Sequence, residues 1–170
     1  VSYRHASNKL YLNNGDESLQ DVSTTSGLSQ SEFKSFGACF GDYNNDGHLD
    51  LFVSNYAGPG DPNQQNELYE NNGDGTFTEV AAASGLIESG VQSFQGQWTD
   101  FDGNGMLDLH VIRDRPQYAN YWYEQQPAGA ISLFVEKAEQ IGLDIGINCM
   151  STSVGDFDND LDPDVYLTAF

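Results

Sequence analysis

Apolar and polar residues alternate along this chain with a period of two over several short runs, and a helical period is rare. Phe36, Ala38 and Phe40 alternate with Gly37, Cys39 and Gly41, and Leu49, Leu51 and Val53 alternate with Asp50, Phe52 and Ser54 beyond an acidic loop. Two such runs around a turn predict a β-hairpin. A second hairpin is predicted where Leu68 to Glu70 and Thr76 to Val80 flank Asn71-Asn-Gly-Asp-Gly75, a run of strong turn formers. The best helical stretch is Val135 to Ile141, long enough for one or two turns.

Both hairpins recur. Acidic windows at Asp42 to Asp50, Asp100 to Asp108 and Asp156 to Asp164 follow one another at intervals of 58 and 56 residues, preceded in register by Phe36, Phe94 and Met150. The block Asn66-Glu-Leu-Tyr69, closing on Ser84-Gly-Leu86, has a counterpart in Asn8-Lys-Leu-Tyr11, closing on Ser26-Gly-Leu28, and a weaker one in Asn120-Tyr-Trp-Tyr123. Four strands per period of about 57 residues predict an all-β fold of β-propeller blades, each of four antiparallel strands. The phase gives a half blade over about residues 8–28, blades over about 35–86 and 93–143, and a half blade over about 149–170. That is about three blades' worth of chain, whereas closed propellers typically have 4 to 8. Two explanations stand: a fragment of a longer propeller, or a subunit completed by head-to-tail blade sharing, as a ring of two chains and six blades or as an open extracellular filament.

Charge changes this picture locally. The 170 residues carry 26 Asp plus Glu against 6 Lys plus Arg, a formal net charge of −20, which makes nucleic acid and anionic membranes poor partners. Eleven of the 17 Asp lie in the three acidic windows, where they repel one another unless a cation sits among them. No apolar run is long enough for a membrane span, and Val1 to His5 have neither an initiator Met nor a signal-peptide core.

The windows have the spacing of oxygen-ligand loops. Carboxylates or amides at loop positions 1, 3, 5 and 9, a carbonyl at 7 and Gly at 6 suit a hard cation such as Ca2+. In the first loop these are Asp42, Asn44, Asp46, the His48 carbonyl and Asp50, and in the second Asp100, Asp102, Asn104, the Met106 carbonyl and Asp108. The third offers Asp156, Asp158, Asp160, the Asp162 carbonyl and Asp164, with Leu161 in place of Gly at position 6. The chain is thus expected to bind up to three Ca2+. Position 12 is Val53, Val111 and Leu167, and the flanks read as strands, which excludes an EF-hand. Turn chemistry without metal is the competing reading, and three loops of one spacing weigh against it.

Phe36-Gly37, the Asp-x-Asn-x-Asp-Gly-x-x-Asp loop and Ala57-Gly-Pro59 together resemble an FG-GAP/VCBS repeat, the blade type of integrin α-subunit propellers. The pairing of that loop with Asn-x-Leu-Tyr-x-Asn-Asn-Gly-Asp-Gly-Thr-Phe is similar to the cartilage-acidic-protein-like branch. The resemblance implies an extracellular or cell-surface, Ca2+-stabilised propeller with a structural or adhesive protein-contact role.

Enzymatic motifs are absent from the sequence, and an enzyme is not expected. His48 occupies a carbonyl-donating loop position, so its ring is expected to point outward, and His110 falls in register with Phe52 and Tyr166, the place of a packed strand residue. A lectin-like carbohydrate binder is an alternative suggested by Tyr118, Tyr121, Trp122 and Tyr123. Of these, Trp122 and Tyr123 match core positions, whereas Tyr121 matches exposed Glu67 and Lys9. Arg113 and Arg115 form the one basic pair, suited either to an acidic partner or to a solvated loop. Cys39 and Cys149 are expected as free buried thiols, and no Asn-x-Ser/Thr sequon occurs.

Overall fold

A computed structural model describes residues 7–28, 33–58, 64–86, 90, 92–130 and 133–170. The chain is all-β, as its period-two runs predict. Its first hairpin is β1 (Tyr11–Asn13) and β2 (Leu19–Asp21). Next come β3 (Ser35–Gly41), β4 (Asp50–Asn55), β5 (Glu67–Asn71) and β6 (Phe77–Glu79), a four-stranded antiparallel sheet in chain order. A second such sheet contains β7 (Ser93–Thr99), β8 (Asp108–Arg113), β9 (Tyr121–Gln125) and β10 (Phe134–Glu136). The last hairpin is β11 (Cys149–Gly155) and β12 (Asp164–Ala169).

Two short helices follow the outer strands: α1 (Ala81–Ser84) and α2 (Ala138–Ile141). The expected helix over Val135 to Ile141 is therefore half strand, because Val135 pairs with Glu124 in the β9–β10 ladder. Helix α1 has no counterpart in the sequence reading, since four residues are too few to show a 3.6-residue period. Both helices end on a left-handed glycine, Gly85 (φ 86°) and Gly142 (φ 77°), and Gly27 (φ 75°) closes the corresponding turn upstream. A Gly-Leu pair thus closes each of these turns, after Ser26, Ser84 and Ile141, where only glycine takes the left-handed turn without strain.

The two full sheets stack face to face through small-to-large contacts. A Cβ on Gly96 would lie 2.4 Å from the Phe52 ring, and one on Gly41 would lie 2.6 Å from the Trp98 indole. The missing side chains let the innermost strands β3 and β7 approach. Behind them Tyr43, Phe52, Leu68, Trp98, Leu109, Val111, Tyr123 and Phe134 form the main core, and each such side chain contributes roughly 1.5–3 kcal/mol on burial. A smaller cluster of Leu51, Val53 and Tyr69, with Leu28 and Phe77 against it, joins the first hairpin to the first sheet.

The seam between β7–β8 and β11 is polar instead. Gln95 Oε1 accepts from the Thr152 amide and the Ser151 hydroxyl, and His110 Nδ1 lies 3.2 Å from Thr152 Oγ1. Strands β4 and β8 are buried along their whole length, whereas β12, in the same register, is exposed or half-buried because, among the described residues, no sheet covers its far face.

Candidate metal centre

Each acidic loop joins the first two strands of its sheet, and all three fold alike. Position 1 caps the loop: Asp42 accepts from the amides of Asp46 and Gly47, Asp100 from those of Asn104 and Gly105, and Asp156 from those of Asp160 and Leu161, at 2.9–3.1 Å. Position 5 turns back on position 7, so that Asp46, Asn104 and Asp160 accept from the amides of His48, Met106 and Asp162. Position 9 accepts from the amide at position 2: Asp50 from Tyr43, Asp108 from Phe101 and Asp164 from Phe157. Carbonyls at position 7, those of His48, Met106 and Asp162, follow directly on these turns.

The first and second loops touch, since the Asn45 side chain donates to the Gly105 carbonyl at 3.2 Å. Two concentrated negative charges are thereby held side by side. Burial with Asp102 and Glu124 nearby raises the Asp108 carboxyl to about 6, and burial raises Asp50 in the same direction. A cation at either loop would relieve that cost.

Asp156, Asp158 and Asp164 place one carboxylate oxygen each within 4.8 Å of one another, and they are the group of described residues that converges in this way. Three convergent hard oxygens and no nitrogen or sulfur fit Ca2+ chemistry. Asp160 and Asp162 lie outside the convergent group. In the second loop the same positions, Asp100, Asp102 and Asp108, do not gather within that distance, and in the first they are Asp42, Asn44 and Asp50 on the shared scaffold.

The third loop keeps the scaffold although Leu161 replaces the position-6 glycine. Gly47 and Gly105 stand at φ 89° and 83°, and Leu161 takes φ 77° with its side chain in solvent. A left-handed non-glycine residue costs roughly 1–2 kcal/mol, and an added glycine costs roughly 0.5–1 kcal/mol of unfolded-state entropy. Leu161→Gly is therefore expected to be neutral or to stabilise by up to about 1 kcal/mol in urea unfolding, although it deletes a whole leucine side chain. A loss above about 1 kcal/mol would show that Leu161 packs against something.

Sequence reasoning missed the clamps that come from the neighbouring strand. The Asn71 amide donates to Asp50 Oδ1 and the Gln125 amide to Asp108 Oδ1, both at 2.9 Å. Asn66 of the Asn-x-Leu-Tyr block accepts from the Asn55 amide at 3.0 Å, and Asn120 accepts from the Arg113 amide at 2.9 Å. Their recurrence in register was the signal, but a strand pattern does not say which neighbour a side chain serves.

The remaining candidates are occupied in other ways. The His48 ring lies over Gly73 of the adjacent turn and is exposed. His110 is fully buried against Trp122, its pKa pushed down to about 4 by that burial. Arg113 is neither a solvated cation nor an anchor for a partner, since its guanidinium is buried between Tyr118 and Tyr121, at 4.8 and 4.3 Å from the ring centres. That stacking gives the Tyr121 ring a partner within the chain, while Trp122 and Tyr123 are core residues. Both cysteines are free thiols; Cys149 is buried and Cys39 half-buried, and desolvation lifts the Cys39 thiol to about 12, which makes it unreactive. Of Ala57-Gly-Pro59, the proline lies outside the described residues.

A family model described as an FG-GAP-like repeat matches three times, over residues 1–53, 56–111 and 100–167. No curated protein matches the chain. Among the described residues no helix is long and apolar enough to cross a membrane.

Proposed function

Because the chain belongs to the FG-GAP-like repeat family, we propose that it is an extracellular, calcium-loaded propeller module with a non-enzymatic, adhesive role in holding protein partners. The observation that carries this reading is the loop scaffold repeated three times, with Asp156, Asp158 and Asp164 converging on one point. In the third loop these three carboxylates and the Asp162 carbonyl would hold the ion. In the first, Asp42, Asn44, Asp46, Asp50 and the His48 carbonyl would do so, and in the second Asp100, Asp102, Asn104, Asp108 and the Met106 carbonyl.

The ion supplies charge neutralisation and a rigid loop, not a reaction. Weak affinity, on the order of 10⁻⁴ to 10⁻³ M as in other extracellular modules, suits a calcium-rich exterior. Equilibrium dialysis against millimolar calcium tests the reading. Binding is expected to saturate at three ions per chain, one for each acidic loop, and Asp158→Ala is expected to remove one. A chain that takes up no calcium would overturn it.

A further inference from the structure

We propose that the first two acidic loops bind calcium as a coupled pair, joined by a line of hydrogen bonds that runs through Tyr43 and Gln125 between their buried position-9 carboxylates. This inference concerns how the calcium sites proposed above act on one another, and it rests on that reading.

The line can be followed atom by atom. Asp50 Oδ2 accepts from the Tyr43 amide at 3.2 Å, the Tyr43 carbonyl accepts from Gln125 Nε2 at 2.9 Å, and the Gln125 amide donates to Asp108 Oδ1 at 2.9 Å. Asp50, Tyr43, Gln125 and Asp108 are all buried. Two residues therefore separate a ligand of the first loop from a ligand of the second. Tyr43 is itself pinned, its ring stacked on Trp98 at 6.0 Å and its hydroxyl donating to Glu70 at 3.0 Å, so a displacement at either end is passed on instead of absorbed. A second contact ties the loop tips, where Asn45 Nδ2 donates to the Gly105 carbonyl.

These links come from two particular side chains and not from the repeat as such. Asn71 stands where the second sheet has Gln125, is one methylene shorter, and donates to the Leu49 carbonyl of its own sheet. Gly103 stands at loop position 4, where the first loop has Asn45, and has no side chain to reach onward. Gln125 also holds its place at a cost, because its Oε1 is buried without a hydrogen-bond partner. A half-satisfied buried amide is less stabilising than an apolar side chain of the same shape, so stability alone does not account for a glutamine here.

The sign of the coupling follows from what an ion would fix. Occupancy of one loop holds its position-9 carboxylate, which holds the Tyr43–Gln125 link and with it the carboxylate of the other loop. The second ion then meets a loop already partly ordered and binds more tightly. Repulsion between the two ions works the other way. It acts through solvent, since residues 44–49 and 102–105 are exposed, and at about 0.15 M salt it is screened within about 8 Å.

Equilibrium dialysis against calcium in about 0.15 M KCl tests the coupling. Asp158→Ala is the parent chain, so that the first two loops alone are counted. Its isotherm is expected to saturate at two ions with a Hill coefficient of about 1.4–1.5, the value for a five- to tenfold coupling. Gln125→Met keeps the side-chain volume and leaves the backbone amide on Asp108, and Asn45→Gly suits the left-handed backbone at that position (φ 57°). Together they are expected to bring the coefficient to 1 or below, with the calcium-free melting temperature unchanged within about 2 °C. Asn45→Gly alone, an exposed substitution remote from the core, is expected to lower the coefficient part of the way. Two ions bound by the parent chain with a coefficient of 1 or below overturn the coupling and leave the calcium reading standing. So does a coefficient above 1 that the paired substitutions leave unchanged. A parent chain that takes up no calcium overturns both.

Discussion

Moving the chain from excess chelator to 10 mM Ca2+ is expected to raise its melting temperature by roughly 8–30 °C. The size follows from linkage, because a ligand that binds only the folded state stabilises it by RT ln(1 + [L]/Kd). With Kd on the order of 10⁻⁴ to 10⁻³ M, each site contributes about 1.4–2.7 kcal/mol at 10 mM. Three sites contribute about 4–8 kcal/mol, and 1 kcal/mol shifts a chain of this size by about 2–4 °C. Were the convergent group of Asp156, Asp158 and Asp164 the sole site, the shift would be a third of this. The magnitude therefore counts the occupied loops.

Two controls separate coordination from screening. A chain of net charge −20 gains some stability from any salt, so NaCl at matched ionic strength sets the baseline. Magnesium demands a tighter octahedral shell and keeps its waters, so its effect is expected to fall well below that of calcium. A calcium melt within 1 °C of the NaCl baseline would mean that these loops are turns built from Asp, Asn and Gly, held by their amide caps alone.

What the sequence displayed and what it hid divide along a physical line. Strand alternation and loop spacing are one-dimensional signals, and from them both four-stranded sheets and the positions of all three loops could be read. The seam between sheets is not one-dimensional. Nothing in the spacing of Gly41, Phe52, Gly96 and Trp98 says that the two glycines vacate the space the two rings fill. Arg113 shows the same limit: beside Arg115 and Pro116 it read as a loop cation, and only folding brings Tyr118 and Tyr121 to either side of it. Leu161 tested local preference against the loop. Propensity argues for glycine there, yet the caps made by Asp156 and Asp160 hold the backbone left-handed without one.

The seam yields the second large effect: Trp98→Ala is expected to cost about 3–5 kcal/mol, reduced by about 1 kcal/mol because the buried indole N–H has no partner to lose. The indole lies over Gly41, stacks on Tyr43 at 6.0 Å and meets Phe134 at 6.0 Å and Phe52 edge-on at 6.4 Å. Alanine would leave a void walled by two paired sheets, and neither can collapse into it without breaking ladder hydrogen bonds. Phe40 holds the same register position in the preceding sheet but is 50% exposed, against 7% for Trp98. Phe40→Ala is accordingly expected to cost less than about 1 kcal/mol. Urea unfolding of the two variants reads both values. Equal costs for Trp98→Ala and Phe40→Ala would mean that register position, rather than the sheet packed against it, sets the contribution of each aromatic.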